Sequence, residues 1–200
     1  ILKILATVFS ASGDYGRSAS ILEGMVALDE ATRGSPSKDL VFQLNLLAID
    51  YMNMGQFSQA ESIYERAIGA SESAFGKEDK QTAICIDNLG ILYEKEGAYD
   101  QAALMHEQAL AVFEKALGPD HADTGIALAN LSRLYERLGD FVKAERFGQR
   151  ALEIVEKNHG LDSEKAATPL MNLAGVYSSR RDFSEAMPLL QLAVKLNERF

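Results

Sequence analysis

Glycine, aromatic and small residues recur along this chain at intervals of 42 residues. The marker of each copy is a glycine in four cases and an arginine in the fifth: Gly13, Gly55, Gly97, Gly139 and Arg181. An aromatic residue lies four positions before each marker, at Phe9, Tyr51, Tyr93, Tyr135 and Tyr177. Another lies two positions after it, at Tyr15, Phe57, Tyr99, Phe141 and Phe183. Five copies of one pattern indicate an internal structural repeat.

Small side chains occupy fixed places on both sides of each marker. Those before it are Ala6, Ala48, Gly90, Ser132 and Ala174. Those after it form two sets, Ala60, Ala102, Ala144 and Ala186, then Ala67, Ala109, Ala151 and Ala193. Because short side chains allow two helices to approach closely while aromatic rings fill the space beside the contact, each copy is predicted to be a helix hairpin.

The helix bounds follow from the marker positions. First helices are predicted near 1–12, 38–54, 79–96, 121–138 and 164–180, and second helices near 14–32, 56–74, 98–116, 140–158 and 182–199. Connectors begin at Gly34, Gly76, Gly118 and Gly160, where glycine suits the left-handed residue that ends a helix. The helices that follow are predicted to start at Ser35-Pro36, Asp120 and Asp162.

Pro169 and Pro188 predict an irregular fifth repeat, with a late start and a distorted second helix.

The segment Ile86–Ala102 (IDNLGILYEKEGAYDQA) resembles the tetratricopeptide consensus. The 42-residue period and the connector Leu117–Thr124 (LGPDHADT) are similar to the repeats of kinesin light chains. This resemblance implies an all-α, right-handed α-solenoid of about five repeats, near 1–34, 35–76, 77–118, 119–160 and 161–200, in a single domain over 1–200. Ile1 falls inside a first helix and Phe200 precedes an expected connector glycine, so we expect a fragment of a longer array.

Charge and cysteine content narrow the range of partners. Lys and Arg number 20 against 29 Asp and Glu, a formal charge of −9, which argues against binding to nucleic-acid phosphates. No apolar run is long enough to span a membrane. The lone Cys85, between Ile84 and Ile86, favours a reducing compartment over a disulfide framework. We therefore expect a cytoplasmic protein that binds neither nucleic acid nor membrane.

No arrangement of residues indicates catalysis. The chain has no phosphate-binding glycine loop, no metalloprotease helix and no nucleophile elbow, so we expect no enzyme activity and no cofactor. The three histidines occupy different repeat positions, and His121 lies in a connector where it predicts helix capping rather than a metal site. The glutamates of the second helices, such as Glu61, Glu65 and Glu72, are predicted to form a solvated outer face.

The resemblance implies that the first helices line a concave groove. Asn88, Asn130 and Asn172 share one repeat position there and should form a ladder of amides. An amide offers both a donor and an acceptor to the backbone of a bound peptide. Equivalent asparagines of kinesin light chains hold cargo peptides, and the resemblance implies the same role for these three. The alternative is that each asparagine bonds only to the neighbouring helix.

The first two repeats carry Ile4 and Leu46 at the ladder position, so a different surface is predicted there. Phe42, Leu46, Ile49 and Met52 indicate an apolar floor, flanked by Asn45 and Asn53, although ordinary packing between repeats explains these residues equally well. The predicted groove also includes Ile91.

Arg133 and Arg137, four residues apart on the predicted inner face, could bind an acidic side chain of a ligand. Glu94 and Glu136 could instead neutralise them. A lysine clamp for a free carboxy-terminus would need cations one turn before the ladder asparagines. Those positions hold Ile84, Ile126 and Thr168 instead, so a free carboxy-terminus is not the favoured ligand.

Three hypotheses for function follow. The first is an adaptor that binds an extended or short helical peptide of a partner protein in its groove. The second is a regulatory or sensor array of a larger enzyme or effector. The third is self-association through uncapped terminal helices, because the last helix carries more apolar residues than a solvent-exposed end should: Leu189, Leu190, Leu192, Val194 and Leu196.

Overall fold

The computed structural model describes residues 1–32 and 36–199, and every regular element in that part is helical. The first helices of the repeats are α1 (Leu2–Ala11), α3 (Lys38–Asn53), α5 (Lys80–Glu96), α7 (Ala122–Leu138) and α9 (Ala167–Ser179). The second helices are α2 (Tyr15–Thr32), α4 (Phe57–Phe75), α6 (Tyr99–Leu117), α8 (Phe141–His159) and α10 (Phe183–Arg199). The predicted helices are confirmed, with ends that differ by at most three residues. Gly34, Ser35 and Phe200 lie outside the described residues.

The chain forms two compact units. Unit 1 (Ile1–Ala98) contains α1 to α5, and each of these helices packs against the next one along the chain. Unit 2 (Tyr99–Phe200) contains α6 to α10 in the same sequential packing, and α9 also contacts α7. The single domain over 1–200 stays a prediction.

The buried small residues hold the hairpins of each unit together. In unit 2, Ser132 Oγ on α7 donates a hydrogen bond to the Ala144 carbonyl on α8, at 2.8 Å. In unit 1 the serine is on the opposite helix, because Ser18 Oγ on α2 donates to the Ala6 carbonyl on α1, at 3.0 Å. A side chain as short as serine reaches the facing backbone only where the two helices lie very close.

The turn inside each hairpin requires a left-handed residue. Gly139 has a φ of 77°, and the following Asp140 amide donates back to the Tyr135 carbonyl at 3.0 Å. Arg181 forms the same turn in the last hairpin with a φ of 65°, and Asp182 N donates to the Tyr177 carbonyl. An arginine therefore adopts a backbone conformation that favours glycine.

The fifth repeat starts late, as Pro169 predicts. Two earlier connectors are closed by a threonine, since Thr82 Oγ1 donates to the Gly76 carbonyl and Thr124 Oγ1 to the Gly118 carbonyl. The equivalent residue is Ala166, and Glu164–Ala166 forms a 3₁₀ turn before α9 begins. Pro169 is the third residue of α9, where a helix needs no amide donor.

The predicted helix starts are wrong at two aspartates. His121 rather than Asp120 caps α7, because its Nδ1 accepts a hydrogen bond from the Asp123 amide at 3.1 Å. Asp120 instead pairs with Lys157 on α8. Ser163, not Asp162, precedes the 3₁₀ turn of the fifth repeat. Histidine thus supplies the capping acceptor that an aspartate was expected to supply.

The distortion predicted at Pro188 does not break the helix, because α10 is continuous from Phe183 to Arg199. Pro188 lies in the second turn of α10 with its ring exposed to solvent. Only the bond to the Ser184 carbonyl is lost, and Ser184 is itself exposed, so water can satisfy that carbonyl.

Replacing Ala144 by leucine should destabilise the protein by about 1–3 kcal/mol, because extra methylenes at a close helix contact force backbone shifts. Ala111→Leu, on the exposed face of α6, is the matched control and should leave the free energy of unfolding nearly unchanged. Denaturant melts of the two variants provide the measurement, and equal values would show that Ala144 does not set the helix separation.

Replacing Arg181 by glycine should stabilise the last hairpin by about 0.5–1 kcal/mol, since it relieves a left-handed conformation that costs a non-glycine residue about 1–2 kcal/mol. Thermal melts followed by circular dichroism would measure the change. The reverse exchange, Gly139→Arg, should lower stability, and a rise in stability for that variant would contradict the argument.

Candidate functional site

Two of the three ladder asparagines bond to a neighbouring first helix. Asn172 Nδ2 on α9 donates to the Ala129 carbonyl of α7 at 3.0 Å. Asn88 Nδ2 on α5 donates to Asn45 Oδ1 of α3 at 3.2 Å. Asn45 Nδ2 lies 3.1 Å from the Val41 carbonyl and 3.0 Å from Cys85 Sγ. Asn45 and Asn88, predicted separately, therefore form one linked pair of amides in unit 1.

Asn130 differs from the other two. It is half-buried on α7, and its amide forms no hydrogen bond with any described residue of unit 2. It lines a cleft of about 440 Å³ formed by the amino-terminal half of α7, the carboxy-terminal end of α8 and the start of α9. Asn130 therefore lies in the wall of that cleft.

The walls of this α7–α9 cleft are mainly apolar. Ile126, one turn before Asn130, is 61% exposed at its edge, and Ile154 and Val155 of α8 line its interior with Pro169 of α9. Gly125 allows the close approach of α8, since a Cβ at that position would lie 3.1 Å from Ile154 Cγ2. Such a surface suits an apolar side chain of a ligand.

Polar groups lie at the end of the cleft nearest the connectors. Lys165 Nζ is 3.3 Å from His159 Nε2, and both side chains are exposed. The Asp123 carboxylate is 3.7 Å from His121 Nδ1. Asn158 Nδ2 donates to the Asp120 carbonyl at 2.8 Å. A ligand in the cleft would thus meet an amide at one side and groups of both charges at the other.

The cleft was not predicted, although the sequence contains a signal for it. Ala166 breaks the series Thr82 and Thr124 at the 42-residue spacing, three positions before Pro169. This change marks the altered helix start beside which the cleft lies. Which side chains line such a gap depends on their rotamers, which the spacing does not give.

The other predicted groove residues are spread along both units. In unit 2, Arg133 is half-buried and Arg137 exposed, while Glu136 accepts a hydrogen bond from Ser179 Oγ at 2.8 Å. In unit 1, Ile49, Leu46 and Ile91 are half-buried, and Asn53 and Phe42 are exposed. Met52 is buried, which agrees with the alternative of ordinary packing between repeats rather than with an apolar floor open to a ligand.

A tyrosine hydroxyl bonds to a glutamate of the preceding second helix at four places. Tyr51 donates to Glu23, Tyr93 to Glu61 at 2.5 Å, Tyr135 to Glu107 at 2.6 Å and Tyr177 to Glu145 at 3.0 Å. The prediction of a solvated glutamate face is therefore wrong for Glu61, which is half-buried and accepts from the next helix. Each bond joins a hairpin to the helix before it.

These bonds and burial keep the phenols protonated. The bond to Glu23 and burial raise the pKa of Tyr51 to about 12. Burial and the bond to Glu61 raise the pKa of Tyr93 to about 12. Burial also raises the pKa of Tyr135 and of Tyr177, each of which bonds to a carboxylate. Ionising any of them places a phenolate beside a carboxylate.

A buried carboxylate joins the first two hairpins of unit 1. Asp50 on α3 takes the repeat position of the buried Leu92, and Ser10 Oγ donates to its Oδ1 at 2.5 Å. Burial raises the pKa of Asp50, although bonds from Ser10 and Ser18 oppose that rise. The Asp50 carboxylate is therefore buried and lies against the preceding hairpin.

Two further observations concern the described residues, 1–32 and 36–199. No three histidine, cysteine, aspartate or glutamate side chains gather there in a metal-binding arrangement. None of the helices in those ranges is both long and apolar enough to cross a membrane.

A comparison with family models found that the model for the tetratricopeptide repeat matches residues 40–115, 105–157 and 137–199. A comparison with curated proteins found no match.

Solved structures of repeat proteins resemble the chain over nearly its whole length. BtubC (BKLC) from P. vanneervenii is 23% identical with a TM-score of 0.87, and the match covers 99% of this chain and 79% of BtubC. A Podosopora anserina protein with nearly identical kinesin light chain-like TPR repeats is 21% identical, with a TM-score of 0.85 and coverages of 99% and 93%. MamA is 16% identical, with a TM-score of 0.66 and coverages of 97% and 95%. These likenesses confirm the all-α solenoid class.

The tyrosine–glutamate bonds predict a loss of stability in alkaline solution. Because the folded-state pKa of Tyr51 and Tyr93 lies near 12, above the unfolded value of about 10, their stabilising effect is complete below about pH 10 and lost as pH rises towards 12. Urea unfolding at a series of pH values should show this decline, and Tyr93→Phe should reduce its slope.

Tyr15→Phe is the control for that measurement, because the Tyr15 hydroxyl has no carboxylate partner among the described residues. The interpretation fails if Tyr93→Phe and Tyr15→Phe show the same dependence on pH as the unmodified chain.

Proposed function

Because this chain belongs to the tetratricopeptide-repeat family, whose repeats generally mediate contacts between proteins, we propose that it is a non-catalytic, cytoplasmic scaffold or adaptor that binds a partner through its groove. The partner presents an extended or short helical segment. The likeness of the fold to kinesin light chain-like repeats supports a peptide ligand over a small molecule.

The observation that carries this proposal is the α7–α9 cleft. It combines an apolar wall with one amide, Asn130, that forms no hydrogen bond within the described part of unit 2. An apolar side chain of the ligand enters between Ile126 and Pro169, and the Asn130 amide bonds to the ligand backbone beside it. The shape of the apolar wall would select which ligand side chain is buried there. The Asn130 amide would bond to the ligand backbone whatever the neighbouring residues of the ligand are.

Each unit by itself carries further residues of the predicted groove. Arg133 and Arg137 lie one and two turns beyond Asn130 on α7 and favour ligands with acidic residues there. Asn172 keeps its Oδ1 as an acceptor while its Nδ2 is bonded to Ala129. In unit 1, the linked pair of Asn45 and Asn88 is flanked by Ile49, Asn53 and Ile91 and offers a second amide surface.

The probe is a peptide chosen from a random displayed library because it binds the whole chain. Asn130→Ala should weaken binding of the selected peptide by about 1–3 kcal/mol, the cost of stranding a buried polar group. Ile126→Ser should weaken it by about 1–3 kcal/mol through lost apolar burial. Isothermal titration calorimetry measures both values, and circular dichroism melts show whether each variant remains folded.

Val142→Ser is the matched control, since Val142 is a 79% exposed aliphatic residue on α8 that does not line the cleft. Its affinity should equal that of the unmodified chain. The proposal is wrong if Asn130→Ala lowers the melting temperature while affinity per folded molecule stays the same, or if Ile126→Ser and Val142→Ser behave alike.

A further inference from the structure

The start of α7 depends on a hydrogen bond that a histidine can accept in only one protonation state. His121 Nδ1 accepts from the Asp123 amide at 3.1 Å, and a ring nitrogen can accept only while it carries no proton. In the protonated imidazole both ring nitrogens are donors, so Nδ1–H would then face an amide N–H. Histidine is also the side chain whose charge ordinarily changes between pH 5 and 8. The cap of α7 is therefore sensitive to mild acid.

The equivalent caps of the other described repeats lack this sensitivity. At the 42-residue spacing, His121 corresponds to Ser37, Asp79 and Ser163. Ser37 Oγ accepts a backbone amide of α3 at 3.1 Å, and Asp79 Oδ1 accepts one of α5 at 2.8 Å. Serine hydroxyls do not titrate in water, and aspartate side chains ordinarily titrate near pH 4. Among the three described first helices with a side-chain cap, α3, α5 and α7, the sensitivity to mild acid is thus confined to α7.

The charges next to His121 do not restore the cap. The Asp123 carboxylate attracts an imidazolium, but its Oδ2 lies 3.7 Å from His121 Nδ1, beyond hydrogen-bond distance, and both side chains are partly exposed. Asp120, the preceding residue, is paired with Lys157 of α8. The amino-terminal end of a helix also disfavours a positive charge. The main effect of protonation is therefore the loss of the acceptor for the Asp123 amide.

Two further titratable groups lie at the same end of the α7–α9 cleft. His159 of α8 and Lys165 of the turn before α9 line the cleft, with Nε2 and Nζ 3.3 Å apart. Both side chains are exposed, so water can solvate each of them if they separate. Their contact is with each other, and neither bonds to the Asp123 amide. Protonation of His159 therefore leaves the cap of α7 in place.

The turn that His121 caps is also a wall of the cleft. Ala122, Asp123, Gly125 and Ile126 all line it. The Gly125 amide donates to the His121 carbonyl at 3.0 Å, which is the first bond of the helix. One residue thus supplies both the side-chain cap and the first backbone acceptor of this wall. Loss of the cap frees the turn that carries the apolar edge of the cleft.

We propose that His121 is a pH switch for the α7–α9 cleft. The neutral imidazole holds the first turn of α7 in place, and protonation in mild acid frays that turn and loosens the cleft wall. A peptide bound at pH 7.5 is then released at pH 5.5. The fraying is a property of the chain alone, whereas the release of a peptide rests on the proposed function.

Hydrogen exchange of the full chain without ligand tests the fraying. From pH 7.5 to 5.5 the protection factor of the Gly125 amide should fall about three- to tenfold, as expected for a lost helix cap. The matched reference is the Ala83 amide, which donates to the Asp79 carbonyl at the start of α5 and should keep its protection factor. His121→Asp gives α7 the type of cap that α5 has and should abolish the fall. His121→Ala should give low protection at both pH values.

Three outcomes of that measurement would overturn the inference. A Gly125 amide that stays equally protected at pH 5.5 would show that Asp123 holds the imidazolium in place of the cap. An equal fall in His121→Asp would assign the effect to another group. His159→Gln removes the other histidine at this end of the cleft and should leave the fall unchanged, so its disappearance in that variant would assign the switch to His159.

Calorimetric titration with the library-selected peptide tests the release, using a peptide without histidine so that its own charge stays constant. Affinity should fall about three- to tenfold from pH 7.5 to 5.5 in the unmodified chain and stay unchanged in His121→Asp. Equal affinity of the unmodified chain at both pH values would show that the turn does not control the cleft. If Asn130→Ala and Ile126→Ser leave affinity unchanged while Gly125 loses protection in acid, the proposed function fails and the acid-sensitive turn stands.

Discussion

The close approach of two helices at small side chains is the constraint on which the hairpins inside each unit depend. Ala6, Ala48, Ser132, Ala174 and their partners on the second helices are buried. Where one of these residues is serine, its hydroxyl reaches the carbonyl of the opposite helix. Larger residues at these points would separate the helices and move every aromatic ring beside them. The left-handed turns, including that at Arg181, then only need to return the chain over a fixed short distance.

The contacts between hairpins are more varied than those within them, and this variety creates the candidate sites. Asp50 with Ser10 joins the first two hairpins through buried polar groups, whereas Leu173 and Leu152 join the last two through apolar contact. The α7–α9 cleft arises at a junction where a threonine anchor and a regular helix start are both missing. Binding surfaces in this chain therefore occur where a junction departs from the repeat rather than where it follows it.

The 42-residue period predicts the helices and turns, because backbone hydrogen bonding and the need for left-handed residues repeat with it. It predicts side-chain bonding poorly. Asn88 and Asn172 share one repeat position but bond to a side-chain amide and a backbone carbonyl, because position 45 is asparagine whereas its equivalent, Ala129, is alanine. Helix capping was predicted at both Asp120 and His121, and the hydrogen bond from the Asp123 amide shows that His121 supplies the acceptor. Asp50 shares its repeat position with the buried Leu92, so its burial follows from the 42-residue spacing. Its hydrogen bond to Ser10 does not follow from that spacing.

The tyrosine–glutamate bonds have a consequence for how such a chain evolves. The acceptor lies 28 residues before the tyrosine at Glu23 and Glu107, and 32 residues before it at Glu61 and Glu145. Positions four apart on a helix share one face, so either glutamate can reach the same hydroxyl. Where both positions are glutamate, as at Glu61 and Glu65 before Tyr93, the loss of one leaves a second carboxylate on the same face. Copies of the repeat can lose sequence identity with one another in this way while the phenol stays bonded in every one.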